Sequence, residues 1–555
     1  MSRIANRVFG PRMDKVSPEL IPENRGTIAN NMRLVSGALE PLKTAAAVAG
    51  VTLTGASEIK SIYRFGKDIS SKTDYWFQFT TDVDVVKGPI AGDTEERTYW
   101  TDGVYPKKTK SSLAGLVAGQ GVAPASLRMG VPPPGWAGPT APRSYTPGVT
   151  VAGTATDGAS VATNSVYVVT YVSTWDEESA PSNASAIATW RAGQNVTITL
   201  PGNISGAYSI DRIRIYRSVT GSSRTAYQLL TTLPVATASY VDTSPSATLV
   251  ETCPSWDWLP PPDGLKGLVD MGNGVLAGFD QNTVYFCEPN YPYAWPVKYD
   301  STVSAPIVGL AVFGQTLVVG TTEGITLITG SDPAAMSQDT PKGLRPVVSK
   351  RSMVEMMGGV VYASSDGLYY VGPSGNRNLT ESFISRDYWA TLGPASFTSC
   401  VRNGEYYAFA DNQYGKIAYI FNLGEDAGYR TSTEWASATY FEKRTDSLFI
   451  VKFSAGANTL CEWDTGTNLT STWKSKDYRY FSGAQFARAQ VIADTYPVTF
   501  ILTADGATKY TYSVPDSLPF PLPDGRNYKV AYALQATGVV RSVRMASSLK
   551  ELGDV

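Results

Sequence analysis

The sequence contains no histidine among its 555 residues. This absence excludes Ser-His-Asp triads, Cys-His dyads, HExxH metalloproteases and every His-ligated metal site. Cysteine is also scarce: Cys253, Cys287, Cys400 and Cys461 are far apart and form no CxxC pair. Neither a disulfide framework nor a zinc ribbon is therefore expected, and the four thiols are predicted to be free and buried or half-buried.

Charge is scarce as well. Charged residues are 17% of the chain, and 47 basic against 49 acidic groups leave a net charge of −2. Such a balance argues against a dedicated nucleic-acid-binding protein, which needs many cations to neutralise phosphates. Lys107, Lys108 and Lys110 are a small basic concentration that could contact nucleic acid or an acidic partner, but three lysines are few, and a solvated loop is favoured.

Long hydrophobic runs are missing. No stretch of about 18 apolar residues occurs, so no transmembrane helix or membrane anchor is predicted. The N-terminus is basic but lacks the apolar segment of a secretory signal. These two features predict a chain that is made in a cytoplasm and stays soluble there.

Helical periodicity is nearly absent too. Alternating, aromatic-rich runs bounded by Gly, Asn, Asp and Pro dominate, and they predict an all-β protein. Residues 1–50 are interpreted as an extended N-terminal arm and first strand. Residues 51–145 contain further strands, among them 59–65 and 75–86, and end in the proline-rich stretch 131–139 (VPPPGWAGP), which is predicted to be a stiff linker.

Residues 146–246 have the pattern of a separate β-sandwich. Runs rich in β-branched and aromatic residues recur between turns, at 165–173 (SVYVVTYVS), 195–200 (NVTITL) and 213–217 (IRIYR). Together with the segment 178–182 (ESAPS) and 240–243 (YVDT), they resemble a fibronectin type III domain. The resemblance implies an inserted immunoglobulin-like or fibronectin III-like β-sandwich.

An internal repeat carries the prediction for residues 247–470. Its copies start at Gly267, Gly309, Ser352 and, more loosely, Ser399, so that the starts are 42–47 residues apart. Each copy reads as an apolar strand, a tight turn, a second apolar strand, a polar turn with Gly, and a third strand. This period and content are typical of the blades of a β-propeller. Residues 471–555 are predicted as a C-terminal β region that either completes the propeller or forms a small sandwich.

Candidate sites are few, and no catalytic, metal or cofactor site is predicted. Asp82 and Asp84 would share one face of a strand spanning 75–86 and could bind a cation or hydrolyse glycosides, but a solvated strand face is favoured. The acidic segment 176–178 (DEE) could hold calcium, although a plain acidic turn is favoured. The aromatic segment 291–295 (YPYAW) could stack on sugars or bases, yet aromatics in proline-rich turns more often seal the edge of a blade.

The order of several short motifs resembles the tail nozzle, or packaged-DNA stabilisation, proteins of short-tailed bacteriophages. The segments that carry the resemblance are 29–33 (ANNMR) with Gly37 and 39–41 (LEP), 96–101 (ERTYWT), 130–132 (GVP), 324–333 (GITLITGSDP) and 365–369 (SDGLY). They span most of the chain. A fibronectin-like insert is not general in that class.

The resemblance implies a virion structural protein rather than an enzyme. Such proteins are propeller-based and form a hexameric ring, a tail tube that acts as a head-to-tail connector below the portal and adaptor. Its partners would be copies of itself, the portal and adaptor, and tail fibre or needle proteins. DNA would pass through the lumen during ejection without sequence-specific binding. The protein would be made in the host cytoplasm and reside in the tail of the virion.

Within that class, the arm of residues 1–50 would dock on a neighbouring subunit and the sandwich would project outward. An alternative is a host-receptor or glycan-binding tail protein that uses the sandwich loops and Tyr293 or Trp295. An enzyme that acts on cell-surface polysaccharide is a third, less favoured reading, because histidine is missing and no carboxylate pair is positioned by the sequence.

Overall fold

Seven small, mostly antiparallel sheets dominate the computed structural model, which describes residues 3–65, 75–138, 143–156, 158, 161–204, 206–220, 225–243, 249, 251–424 and 426–553. We number these sheets of the described residues blades 1 to 7, and we give the innermost strand of each blade first. Blade 1 contains Ser61–Phe65, Tyr75–Phe79 and Gly121–Val122; blade 2 contains Asp84–Lys87, Thr98–Thr101, Lys107–Thr109 and Leu127–Arg128. Blade 3 contains Lys266–Asp270, Leu276–Asp280, Thr283–Phe286 and Ser301–Thr302; blade 4 contains Ile307–Phe313, Thr316–Thr321, Ile325–Thr329 and Ser337–Asp339.

The remaining blades repeat the same arrangement. Blade 5 contains Val354–Met356, Gly359–Ser364, Gly367–Val371 and Arg377–Asn378; blade 6 contains Thr398–Arg402, Glu405–Asn412, Gly415–Asn422 and Gly428–Ser432. Blade 7 contains Ala438–Glu442, Ser447–Ser454, Ala457–Glu462 and, from the N-terminal end of the chain, Ala46–Ala47.

Apolar clusters between neighbouring blades close the ring. Leu317 and Val319 of blade 4 pack with blade 3, whereas Val318 of the same strand packs with blade 5, so alternate residues face opposite neighbours. The ring closes where blade 7 packs on blade 1, with Trp76 buried against Phe449 at a ring-centroid distance of 5.1 Å. A blade has two apolar faces and cannot bury both alone, which is why the sheets assemble around an axis.

These sheets confirm the all-β, propeller-like fold. The four copies of the repeat form successive blades, numbers 3 to 6, and each tight turn and Gly-containing turn connects neighbouring strands of one blade. The four cysteines are free, with Cys253 half-buried and the other three buried.

The predicted single strand 75–86 is wrong. It is two strands in different blades, Tyr75–Phe79 in blade 1 and Asp84–Lys87 in blade 2, with a turn between them. Asp82 lies in that turn and Asp84 begins the second strand, so the two carboxylates do not share a strand face. The polar sequence 80–82 (TTD) breaks the alternation, and this is the turn signal that the prediction overlooked.

A two-sheet sandwich is inserted between blades 2 and 3. One sheet contains Val149–Ala152, Asn195–Thr199 and Ser239–Asp242, and the other contains Tyr167–Ser173, Ile210–Thr220 and Thr225–Pro234. A short pair, Thr163–Ser165 with Ala188–Trp190, completes it. Trp190 and Tyr167 lie in its core with Val196 and Ile213. Of the proline-rich stretch before it, Pro139 lies outside the described residues.

The C-terminal region forms a second sandwich with the N-terminal arm built into it. One sheet contains Arg3–Asn6, Val540–Ala546, Arg488–Ala493 and Phe520–Pro521. The other contains Ser471–Lys474, Tyr478–Ala484, Asn527–Ala536, Val498–Ala504 and Ala507–Val514, and Ile28–Asn30 joins it to the outer strand of blade 6. Met32–Arg33 pairs with Glu40–Pro41.

The N-terminal arm is built into the chain's own fold. Phe9, Ala29, Met32 and Leu39 are buried in the chain's own core, and Ala46–Ala47 supplies the outermost strand of blade 7. Helices are short where the chain is described: two α-helices, Arg386–Thr391 and Leu549–Gly553, and 3₁₀ turns at Gly206–Tyr208, Val297–Tyr299, Pro333–Ala335, Lys350–Ser352 and Pro394–Ser396. None of these is long and apolar enough to cross a membrane.

Candidate functional site

The mouth of the propeller axis is divided by a cluster of four charges. Asp82 and Asp84, which lie before and at the start of the inner strand of blade 2, face Lys350 and Arg351, which precede the inner strand of blade 5. The Lys350 Nζ lies 3.2 Å from a carboxylate oxygen of Asp82 and 2.5 Å from one of Asp84. The Arg351 guanidinium pairs with Asp82 and lies 3.3 Å from Asp84. We call these four residues the axial charge cluster.

Two recesses flank the axial charge cluster. One, of about 350 Å³, is lined by the first residues of the inner strands of blades 2, 3 and 4, namely Asp84, Lys266 and Ile307. The other, of about 240 Å³, is lined by Lys60, Thr398 and Ser437, at or just before the inner strands of blades 1, 6 and 7. The paired charges thus obstruct the propeller axis. Each of the two carboxylates is held by two cations.

The three lysines and the acidic segment, considered separately in the sequence, face one another. Lys107 pairs with Asp102 at 2.5 Å and Lys110 with Glu95 at 3.1 Å. Lys108 has no exposed surface and pairs with Glu177 of the sandwich. The interpretation as a solvated loop is therefore wrong for Lys108, whose positive charge is matched across the interface between the two domains.

Donors of the chain itself contact the carboxylates of the acidic segment 176–178, of which Asp176 stays largely exposed. Glu178 accepts hydrogen bonds from Thr170 and Tyr216 and pairs with Arg214 at 2.8 Å, and Asp176 pairs with Arg212 at 2.6 Å. Each carboxylate of the segment is thus taken by the protein's own donors. Within the described ranges, no group of three or more Cys, Asp or Glu side chains is arranged to hold a metal ion.

Trp175 lies at the centre of this interface. Its ring has the charged groups of Lys108, Lys110 and Arg97 at 4.8, 5.4 and 5.9 Å from the ring centroid. Cation–π contacts of this kind stabilise a desolvated junction. Burial lowers the pKa of Lys108, against the opposing effect of the Glu177 carboxylate.

The aromatic segment 291–295 seals the outer part of blade 3. Tyr293 is buried and contacts Trp258 and Tyr291 edge to face, with ring centroids 5.8 and 5.9 Å away. Trp295 is also buried, and its Nε1 donates to the carbonyl of Pro292 at 2.9 Å. These contacts agree with a packing role for Tyr293, whereas one edge of Trp295 lines a neighbouring cavity.

That cavity lies at the junction of the sandwich, the proline-rich segment and blade 3. Its volume is about 380 Å³. Four aromatic side chains line it from three parts of the chain: Trp136 of the proline-rich segment, Tyr208 of the sandwich, and Tyr285 and Trp295 of blade 3. We call it the junction pocket.

Polar groups accompany these rings. Arg128 lines the junction pocket and pairs with Asp263, while its guanidinium carbon lies 5.4 Å from the ring centroid of Tyr208. Asp280 and Asp300 also line the pocket, and among the ion pairs of the described residues neither carboxylate has a Lys or Arg partner. Burial raises the pKa of Asp300 to about 6.

Tyr285 lines the same pocket as the two carboxylates. Burial raises the pKa of its hydroxyl, and the negative charges of Asp300 and Asp280 raise it further. The sequence analysis did not single out Trp136, Tyr208, Tyr285, Asp280 or Asp300 as site residues. They are as far apart as positions 136 and 300, and only the return of the chain from the sandwich brings them together.

The thiols contribute no chemistry to these sites. Burial raises the pKa of Cys253 to about 11 and that of Cys287 to about 12. A cysteine acts as a nucleophile through its thiolate, and the raised pKa values keep these two thiols protonated at neutral pH.

Comparisons with known proteins identify no family. No family model matches the chain, and no curated protein matches it. Among solved structures, the chain is similar to BBS1N in complex with ARL6DN, at a TM-score of 0.26 and 11% identity over 46% of this chain and 88% of the other.

Two further structures show the same level of likeness. Hsv2 of Kluyveromyces marxianus has a TM-score of 0.22 and 10% identity, over 58% of this chain and 95% of the other. The N-terminal domain of Nup159 has a TM-score of 0.20 and 10% identity, over 59% and 86%. Similarity this low carries no argument about function, so the functional argument rests on the residues of the chain itself.

Proposed function

We propose that this protein is a structural component of a bacteriophage tail, a nozzle or tail-tube subunit that forms a ring below the portal and adaptor. In this role the ring retains packaged DNA and channels its ejection. The observation that carries the proposal is the ordered set of nozzle-like motifs from residue 29 to residue 369, together with the obstructed axis of the propeller.

The positions of the motifs in the fold support a scaffolding role. Ile28–Asn30 joins blade 6 to the C-terminal sandwich, Met32–Arg33 pairs with Glu40–Pro41, and 365–369 form a turn and strand of blade 5. These are joints of the architecture rather than sites exposed for chemistry. Such positions fit a protein whose task is to hold a shape.

The axial charge cluster favours a conduit between copies of the chain over one through a single propeller. Because Asp82 and Asp84 are paired with Lys350 and Arg351 across the mouth of the axis, DNA would not thread through one propeller. The lumen would be formed between copies of the chain, arranged by heterologous interfaces that close into a ring. A net charge of −2 also suits a channel wall that must not bind phosphates tightly.

Negative-stain microscopy and native mass spectrometry of the purified full chain test this proposal. A closed ring with a central hole, hexameric by mass, is the expected result, with no shift of double-stranded DNA in a gel at about 50 mM salt. A chain that stays monomeric at high concentration, with or without portal and adaptor proteins, would contradict the ring. Tight DNA binding by the isolated chain would contradict the non-gripping lumen.

A further inference from the structure

We propose that the junction pocket is a binding site for a neutral saccharide. This role is additional to the proposed tail function and does not depend on ring formation. An enclosed volume, several aromatic rings and two carboxylates without a Lys or Arg partner coincide at this pocket.

The size of the pocket suits a small ligand. Its volume of about 380 Å³ lies in the range of ligand pockets, which runs from about 300 to 1,000 Å³. By contrast, the two recesses beside the axial charge cluster are divided by paired charges. The junction pocket is also built from three separate parts of the chain, a location that ligand sites between domains favour.

The aromatic lining points to a ligand with apolar faces. Trp136, Tyr208, Tyr285 and Trp295 line the cavity. A sugar ring presents C–H groups on its faces and hydroxyls at its edge, so it can pack on an aromatic ring while its edge forms hydrogen bonds. An entirely apolar ligand would leave the carboxylates of Asp280 and Asp300 without partners, which costs free energy.

The carboxylates set the chemistry of the ligand. Asp280 and Asp300 can only accept hydrogen bonds when ionised, so the ligand must bring donors. Two unpaired negative charges repel a phosphate or carboxylate, which excludes nucleotides and acidic sugars. Arg128 also lines the pocket, beside Tyr208; its charge is matched by Asp263, and its remaining N–H groups can donate to the ligand. Hydroxyl groups both donate and accept, so they can satisfy the carboxylates and the guanidinium.

The test is binding of the purified full chain to a panel of free neutral sugars: glucose, galactose, mannose, N-acetylglucosamine and their disaccharides. Isothermal titration and tryptophan fluorescence are suitable, since Trp136 and Trp295 line the pocket. We expect at least one sugar to bind in the micromolar to millimolar range. Trp136→Ala and the pair Asp280→Asn with Asp300→Asn should each weaken binding by about tenfold or more.

Controls separate binding from folding. Tyr414→Ala changes an exposed aromatic residue of blade 6, away from the pocket, and should leave the affinity unchanged. The Asp-to-Asn changes keep side-chain size, and their thermal transitions should stay close to that of the parent. If Trp136→Ala lowers the melting temperature strongly, the Asp280→Asn and Asp300→Asn chain alone decides the outcome.

Three results would overturn the proposal. The first is no binding of any sugar in the panel at 10 mM, a concentration of about ten times a millimolar dissociation constant. The second is sugar binding that the pocket variants leave unchanged. The third is binding of a choline or lysine methyl ester probe that Asp280→Asn abolishes while every sugar fails, which would assign the pocket to a cation. Each of these three binding results can be measured whether or not the chain forms rings.

Discussion

Lys108 of blade 2 and Glu177 of the inserted sandwich form an ion pair in which no surface of the lysine is exposed. The pair joins two domains through residues 69 positions apart in the sequence, and Trp175 packs beside it. The inserted domain is thus fixed to the propeller by matched charge as well as by apolar contact. This arrangement positions Tyr208 of the sandwich over the junction pocket.

Replacing Lys108 by Ala should destabilise the protein strongly. The change leaves the carboxylate of Glu177 buried without its partner, and breaking a buried ion pair in this way costs about 3–5 kcal/mol. Thermal and urea unfolding measure the loss. The double variant Lys108→Met with Glu177→Gln should recover part of the lost stability, because no unpaired charge remains.

Lys443→Ala is the control: its pair with Glu355 is exposed, and such pairs contribute about 0–1 kcal/mol. A Lys108→Ala chain as stable as the control would show that the interface does not depend on this pair.

Phe9→Ala should destabilise the C-terminal sandwich. Phe9 is buried and meets Trp473 edge to face at a centroid distance of 5.1 Å. Removing a buried phenyl group costs about 3–5 kcal/mol, whereas Val8→Ala at the neighbouring exposed position should change the free energy of unfolding by less than about 0.5 kcal/mol. Denaturant unfolding followed by tryptophan fluorescence reports both.

Deleting the N-terminal segment should also lower the stability of the protein, because this segment packs in the chain's own core. Deleting residues 1–25 removes the strand Arg3–Asn6 as well as Phe9. We expect the truncated chain to unfold at lower temperature, in addition to any effect on assembly. A truncated chain with an unchanged melting temperature would contradict the built-in position of the arm.

Asp84→Asn should weaken the axial charge cluster by about 1–2 kcal/mol, because it removes the carboxylate charge that Lys350 contacts at 2.5 Å and Arg351 at 3.3 Å. The cost should shrink at 1 M salt, where charges are screened over about 3 Å. Chemical denaturation with urea at two salt concentrations measures it. Glu355→Gln, at an exposed pair, should show no comparable loss. If Asp84→Asn does not lower the free energy of unfolding at low salt, the cluster is not a stabilising network.

Asp300→Asn should make the protein more stable at pH 7 and leave its stability unchanged near pH 3. Burial raises the pKa of Asp300 to about 6 from its usual 3.8, so the folded protein binds the proton more tightly than the unfolded chain. Stability from this group is therefore present below about pH 4 and is lost as the pH rises through about 6. Because Asp300 is partly exposed, solvent screening should keep the gain at pH 7 to less than about 1 kcal/mol.

Thermal unfolding of both chains between pH 3 and 8 shows the difference. Asp263→Asn, at an exposed carboxylate of the same cavity that is paired with Arg128, is the matched control, and it should lose stability or stay neutral instead of gaining it. A gain for Asp300→Asn that is as large at pH 3 as at pH 7 would contradict a raised pKa as its cause.

The repeat starting at Gly267, Gly309, Ser352 and Ser399 was enough to predict radially arranged blades, because each copy carries two apolar faces that only a neighbouring copy can bury. Blades 1, 2 and 7 depart from the repeat, and the single strand predicted for residues 75–86 merged a strand of blade 1 with a strand of blade 2. Local alternation is the same on both sides of a turn, so it does not show where one sheet ends and the next begins.

The sequence by itself determined what depends on composition and short-range pattern: an all-β chain, the absence of histidine chemistry, free buried thiols and repeated three- to four-stranded units. Tertiary structure alone decided which distant residues meet. It paired Lys108 with Glu177, placed Ala46–Ala47 in blade 7 and gathered Trp136, Tyr208 and Asp300 around one cavity. Such contacts depend on how the closed ring and the inserted domain return the chain on itself, and no local preference of the backbone encodes that path.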